Sequence, residues 1–122
     1  MKKVLVIDDD KDVLDIMKEA LEYSGYQVEV TEHSHEVFNL IDSFKPGLVL
    51  IDFMLNCANG GEICHQIKTN LKQLPVIIVS AYSRMFLSLG NYGCDGLISK
   101  PFDLHELLST VEKFMPDEVA SH

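Results

Sequence analysis

The chain has 122 residues, about one domain's length, and its 47% hydrophobic and 24% charged residues supply a core while excluding a disordered or collagen-like chain. Ten Lys and Arg against nineteen Asp and Glu leave a net charge of −9, so most of the surface repels a phosphate backbone or an anionic membrane, and direct nucleic-acid binding is not expected. The longest wholly apolar runs, such as 48–51, are far shorter than the roughly twenty residues of a membrane-spanning helix.

The start, Met1-Lys2-Lys3-Val4-Leu5-Val6-Ile7, imitates a signal peptide until Asp8, Asp9 and Asp10 interrupt it, which predicts a cytoplasmic protein. A first strand is predicted over 4–7. Val13, Ile16, Met17, Ala20 and Leu21 then recur at helical spacing over 11–24, and Gly25 supplies a helix stop. A second strand is expected over 26–30. Val37, Leu40, Ile41 and Phe44 mark the next helix, broken at Lys45-Pro46. A third strand over 48–52 leads to a helix that opens after Gly60-Gly61 and carries Ile63, Ile67 and Leu71. The fourth strand is placed at 76–80 and the fifth at 96–99. Between them, Gly90 and Gly93 leave room for only a short or irregular fourth helix over 81–95. The last helix is signposted by the Asp103/Glu106 capping box, by Leu104, Leu107, Leu108, Val111 and Phe114, and by the stop at Pro116.

This β-α-β-α rhythm, with continuously apolar first, third and fourth strands, predicts an α/β fold: a doubly wound, five-stranded parallel sheet covered on both faces. One domain over 1–116 is expected, with 117–122 a short polar tail that leaves no room for an output domain. Cys57, Cys64 and Cys94 are odd in number and lack a C-x-x-C pair, so they read as reduced, mostly buried thiols. With His65 they lack the tight spacing of a metal site.

Ligand sites of open parallel sheets lie beyond the carboxyl ends of the strands. Here those ends carry Asp8-Asp9-Asp10, Asp52, Ser80 and Lys100-Pro101. Converging carboxylates repel one another unless a cation neutralises them or their pKa values rise. Hard oxygen donors without a nearby imidazole favour Mg²⁺. Asp10 and Asp12, beside the first helix, read instead as N-terminal capping charges. With a cation in place, Lys100 and Ser80 are suited to hold phosphoryl oxygens, and Asp52 to act as nucleophile and form an aspartyl phosphate.

The motifs V-L-V-I-D-D-D, L-V-L-I-D-F-M-L, P-V-I-I-V-S-A-Y and S-K-P-F-D make the chain resemble a response-regulator receiver domain over essentially its whole length, with the flavodoxin-like (βα)5 fold of that family. The resemblance implies a phospho-acceptor switch rather than a classical enzyme, one that catalyses its own phosphorylation and dephosphorylation. Asp52 would accept a phosphoryl group from a sensor histidine kinase, a histidine phosphotransfer protein or a small phosphodonor. It further implies Mg²⁺ held by Asp9 directly, by Asp8 through water, by Asp52 and by the Met54 carbonyl. Ser80 is the switch hydroxyl, Ala81 the small residue beside it and Lys100 the phosphate-binding lysine, with the Lys100-Pro101 bond cis. Partners are expected to be a phosphodonor protein and a downstream protein, with no nucleic acid or membrane, and the chain a monomer or weak homodimer.

Three departures stand out. Leu97 replaces the aromatic residue usual three before the lysine, Asn56 replaces a proline, and the stretch from Ser80 to Lys100 is about two residues short. These keep open a phosphorylation-independent interaction module on the same fold. An aspartate-nucleophile hydrolase is disfavoured because Met54 occupies the position of its second acid. A flavodoxin-like nucleotide carrier is disfavoured because its phosphate loop would be rich in Gly, Ser and Thr. Met54 and Tyr82 are expected to flank the path of an attacking water and slow dephosphorylation.

Overall fold

Strand and helix alternate along the chain in the computed structural model, which describes residues 2–55, 58–81 and 93–115. The elements are β1 (Lys3–Ile7), α1 (Lys11–Tyr23), β2 (Gln27–Thr31), a 3-10 turn (Ser34–Glu36) running into α2 (Val37–Phe44), β3 (Leu48–Asp52), α3 (Gly60–Asn70), β4 (Val76–Ser80), β5 (Gly96–Ser99) and α4 (Leu104–Phe114). The expected short fourth helix falls mainly on 82–92, outside the described residues, so the C-terminal helix is numbered α4. The strands are all parallel in the order β2-β1-β3-β4-β5. The predicted doubly wound sheet is therefore the observed one.

Every residue of β3 and β4 is buried, which is why both read as unbroken apolar runs. The edge strand β2 instead exposes Gln27 and Glu29 and buries Val28 and Thr31. The sheet divides the core in two. On one face Val4, Val6, Leu48, Leu50, Ile77 and Val79 meet Leu14, Met17 and Leu21 of α1 and Leu107 and Val111 of α4. On the other, Leu5, Ile7, Val49, Ile51, Val76 and Ile78 meet Val37 and Ile41 of α2 and Ile63, Cys64 and Ile67 of α3. Each fully buried Leu or Ile contributes about 1.5–3 kcal/mol relative to an exposed one.

Four local expectations need correction. β2 starts one residue later than predicted because the Tyr26 N–H turns back to the Leu21 carbonyl, and Gln27 is the first residue to bond β1's flank, through Lys2 O at 2.8 Å. The buried stripe of α1 is Leu14-Met17-Leu21, which leaves Ile16 53% exposed. Helix α3 begins at Gly60 rather than after Gly61, because Asn59 caps it by accepting from the N–H groups of Gly61 and Glu62. Leu71 and Leu104 lie outside the core, Leu71 as the C-cap of α3 and Leu104 as the first residue of α4. The α4 cap is as expected: the Asp103 carboxylate accepts from Glu106 N at 2.7 Å. Pro116 lies outside the described residues.

Candidate functional site

Backbone pairing runs past the strand ends and brings the candidate residues together. Ile7 is in register with Ile51, Asp52 with Val79 and Ser80 with Ser99. The ladder continues through Asp8 N to Thr31 O, Phe53 N to Val79 O and Lys100 N to Ser80 O at 2.8 Å. Asp8, Asp52, Ser80 and Lys100 therefore crowd one edge of the sheet. Asp8, Asp52 and Ser80 are buried. Asp9 is half-buried, and Ala81 is exposed just past β4. The Lys100-Pro101 bond is cis, as expected.

Asp52 is held from behind by the loop that follows it. Met54 and Asn59 form an antiparallel bridge, Leu55 N donates to Ala58 O, and Gly60 N donates to Phe53 O at 2.8 Å. Gly60 packs so closely that a Cβ there would lie 2.1 Å from the Asp52 carbonyl oxygen, so only glycine fits. The Met54 side chain is 58% exposed beside the site. Asn56, Cys57 and Tyr82 lie outside the described residues. Leu97 is half-buried against the α3-side core, where it packs as an ordinary aliphatic side chain.

The Lys100 ammonium is the centre of the cluster. It donates to Asp8 Oδ2 at 2.9 Å and lies 3.1 Å from Asp52 Oδ1, while Asp8 Oδ1 accepts from Asp10 N at 2.9 Å. Asp10 in turn caps α1, as expected, accepting from Asp12 N and Val13 N. Burial, then the Asp8 charge and more weakly that of Asp9, push the Asp52 carboxyl above its ordinary pKa against the opposing pull of Lys100. Burial pulls the Lys100 ammonium down, but its bonds to Asp8 and Asp52 outweigh that and hold its pKa above normal.

Asp8 and Asp52 face one ammonium, and Asp9 is near enough for its charge to act on Asp52. Full ionisation leaves two uncompensated negative charges, the deficit a divalent cation would make good. The donors are carboxylate oxygens with a main-chain carbonyl at Met54 nearby in sequence, a hard set suited to Mg²⁺. Among the described residues no three acidic, imidazole or thiol groups are drawn into a ligand cluster, and Asp8 and Asp52 share the Lys100 ammonium instead. Beside Lys100 opens an apolar groove of about 740 Å³, lined by Val13, Ile16, Ala81, Pro101, Phe102 and Leu104. Helical spacing places Ile16 and Leu104 among the apolar residues of their helices without saying that both are exposed, so the groove was not evident in the sequence. Its one signal was that α1 carries more apolar residues than a single buried stripe needs.

Residues 4–112 match the family model described as the response regulator receiver domain. The chain belongs to this family. Receiver domains are signalling modules of two-component systems. A curated relative, the response regulator MprA of Mycolicibacterium vanbaalenii, is 31% identical over 124 residues, covering 97% of this chain and 54% of that protein. The receiver thus spans about half the length of the curated relatives it matches. Among solved structures, the response regulator TrrA of Thermotoga maritima in complex with Mg²⁺ and BeF superposes with a TM-score of 0.86 at 29% identity, covering 93% of this chain and 99% of that one. A CheY-like receiver domain protein of Methanospirillum hungatei gives 0.84 at 31% identity, with 94% of each chain covered. Among the described residues of this receiver, no helix is long and apolar enough to cross a membrane.

Proposed function

We propose that this receiver unit, spanning 1–116, is a phospho-acceptor switch in which Asp52 takes a phosphoryl group from a phosphohistidine on a sensor histidine kinase or histidine phosphotransfer protein. The observation that carries the reading is the shared Lys100 ammonium between buried Asp8 and Asp52, at the strand ends of a chain that matches the receiver family over 4–112. An Asp52 oxygen attacks phosphorus, the P–N bond of the donor breaks, and the donor imidazole, already protonated on its other ring nitrogen, leaves as a neutral ring. Lys100, 3.1 Å from Asp52, is placed to hold a phosphoryl oxygen, and the buried Ser80 hydroxyl to meet another by a small rotation. Ala81, small and exposed, leaves the approach open. Mg²⁺ held by Asp8, Asp9, Asp52 and the Met54 carbonyl would neutralise the charge that builds up on the transferring group. The phosphorylated form then shifts a two-state equilibrium that a downstream protein partner reads.

Intact mass after incubation with acetyl phosphate tests this, with and without Mg²⁺, on wild type and Asp52→Asn. The expected result is a Mg²⁺-dependent gain of one phosphoryl group that the variant loses. No gain in folded protein would overturn the reading and favour a phosphorylation-independent interaction module.

A further inference from the structure

Cys64 and Cys94 are thiols that the phospho-acceptor site leaves unused. Cys64 is fully buried on α3, Cys94 is half-buried two residues before β5, and both pack into the same apolar cluster. The two segments are fastened together beside them. Lys68 follows Cys64 by one helical turn on the same face of α3 and ion-pairs with Asp95, the neighbour of Cys94, at 3.0 Å. Gly93 crosses the stem of that lysine, its ideal Cβ position 3.9 Å from Lys68 Cβ and Cγ. Asp95 also accepts from Val76 N at 2.8 Å, which fixes this strap against the start of β4. Burial first, then the charges of Cys94 and Asp95, push the Cys64 thiol up to about 12, with Lys68 opposing.

We propose that Cys64 and Cys94 are a reversible redox pair that closes to a disulfide, tying α3 to the segment that enters β5. The oxidant class is a hydroperoxide. The Cys94 sulfur, the more exposed, attacks a peroxide oxygen. The O–O bond breaks, one water leaves with the thiol proton, and a sulfenic acid forms. The Cys64 sulfur then displaces the sulfenic hydroxyl, which leaves as a second water with the Cys64 proton as the S–S bond forms. Two thiols and hydrogen peroxide thereby give one disulfide and two waters, two electrons passing from sulfur to oxygen. A thiol reductant restores the pair. Cys94 is also raised above its ordinary pKa, by burial and by Asp95. With both thiols protonated at neutral pH, closure is slow there and quickens as the solution is made more alkaline.

The test treats the folded full chain with hydrogen peroxide and maps its thiols by mass spectrometry without reduction. The expected product is lighter by about 2 Da, the two hydrogens lost on disulfide formation. It yields one Cys64–Cys94 linked peptide pair and reverts with dithiothreitol. Cys57→Ser keeps the link and Cys94→Ser loses it. Folded Cys57→Ser protein forms the link faster than the same protein in urea, because the fold supplies the encounter. A link through Cys57, oxygen addition at Cys94 without any link, or equal rates in folded and unfolded chains would overturn the proposal. A melting temperature raised in the oxidised form is also expected, since the bridge closes a loop containing β4.

Discussion

Replacing Gly60 with alanine probes how Asp52 is held. The new Cβ would meet the Asp52 carbonyl oxygen at 2.1 Å, its carbonyl carbon at 2.9 Å and Phe53 Cα at 3.0 Å. Ordinary contacts need more than 3 Å, so the backbone on one side must retreat by about 1 Å. Neither side is slack: Phe53 N bonds Val79 O at 2.9 Å, and Gly60 N bonds Phe53 O at 2.8 Å. Overpacking of this kind costs about 3 kcal/mol, and alanine's better helix propensity returns at most about 1 kcal/mol in the first turn of α3. A net loss of about 2 kcal/mol should appear as a lower urea midpoint at unchanged m-value. A 1 Å displacement of Asp52 also disturbs its 3.1 Å contact with Lys100, and misplacement on that scale lowers a reaction rate about 100-fold. The phosphorylation rate with acetyl phosphate reads this second effect. Gly25→Ala is the control: Gly25 has a φ of +97° but open space around it, so it should cost about 1 kcal/mol and leave phosphorylation untouched. Wild-type stability and rate in Gly60→Ala would refute the close approach as the reason for this glycine.

Lys100→Met should destabilise the fold by about 2–3 kcal/mol at pH 7, since it strands buried Asp8 beside Asp52, with the usual cost reduced because Lys100 is itself 23% exposed. Urea titrations should show that deficit shrinking as pH falls and Asp52, whose carboxyl is raised, takes up its proton; an unchanged deficit would refute the electrostatic cause. Asp52 titrates above its ordinary value, so the folded state holds its proton longer than the unfolded chain does. Stability from this group is full below the unfolded pKa of 3.8 and falls as pH rises through the folded one. Asp52→Asn is therefore expected to unfold at higher urea than wild type at pH 7, with the gap closing towards pH 3, and a lower midpoint at pH 7 would contradict the sign. Asp103→Ala removes the α4 cap and should cost about 1 kcal/mol by thermal or urea unfolding without altering phosphorylation.

The order of strands and helices was legible because the buried strands are apolar up to their last residue and α1 and α2 each end at a residue with a physical reason to stop them. Lys45, for example, closes α2 in the left-handed conformation immediately before Pro46. The convergence of Asp8, Asp52, Ser80 and Lys100 was legible too, since a parallel sheet gathers its strand ends on one edge. Helix faces were less so. Periodicity finds an apolar stripe but not which side of it the sheet takes: the spacing picks out Ile16, which is exposed, and passes over Leu14, which is buried. Side-chain pairing was not legible at all: the division of the Lys100 ammonium between two carboxylates depends on distances that no spacing rule supplies.

The sheet also acts as a partition. Leu50 and Ile51 are chain neighbours, yet their side chains enter separate cores, one beneath α1 and α4 and the other beneath α2 and α3. Truncations on opposite sides should therefore add nearly independently, while those on one side compensate or compound one another. Selection can then remodel the α1–α4 surface, where the apolar groove lies, at little expense to the layer that carries α3 and the loop holding Asp52. Such a chain can change one face while the geometry of its strand ends stays the same.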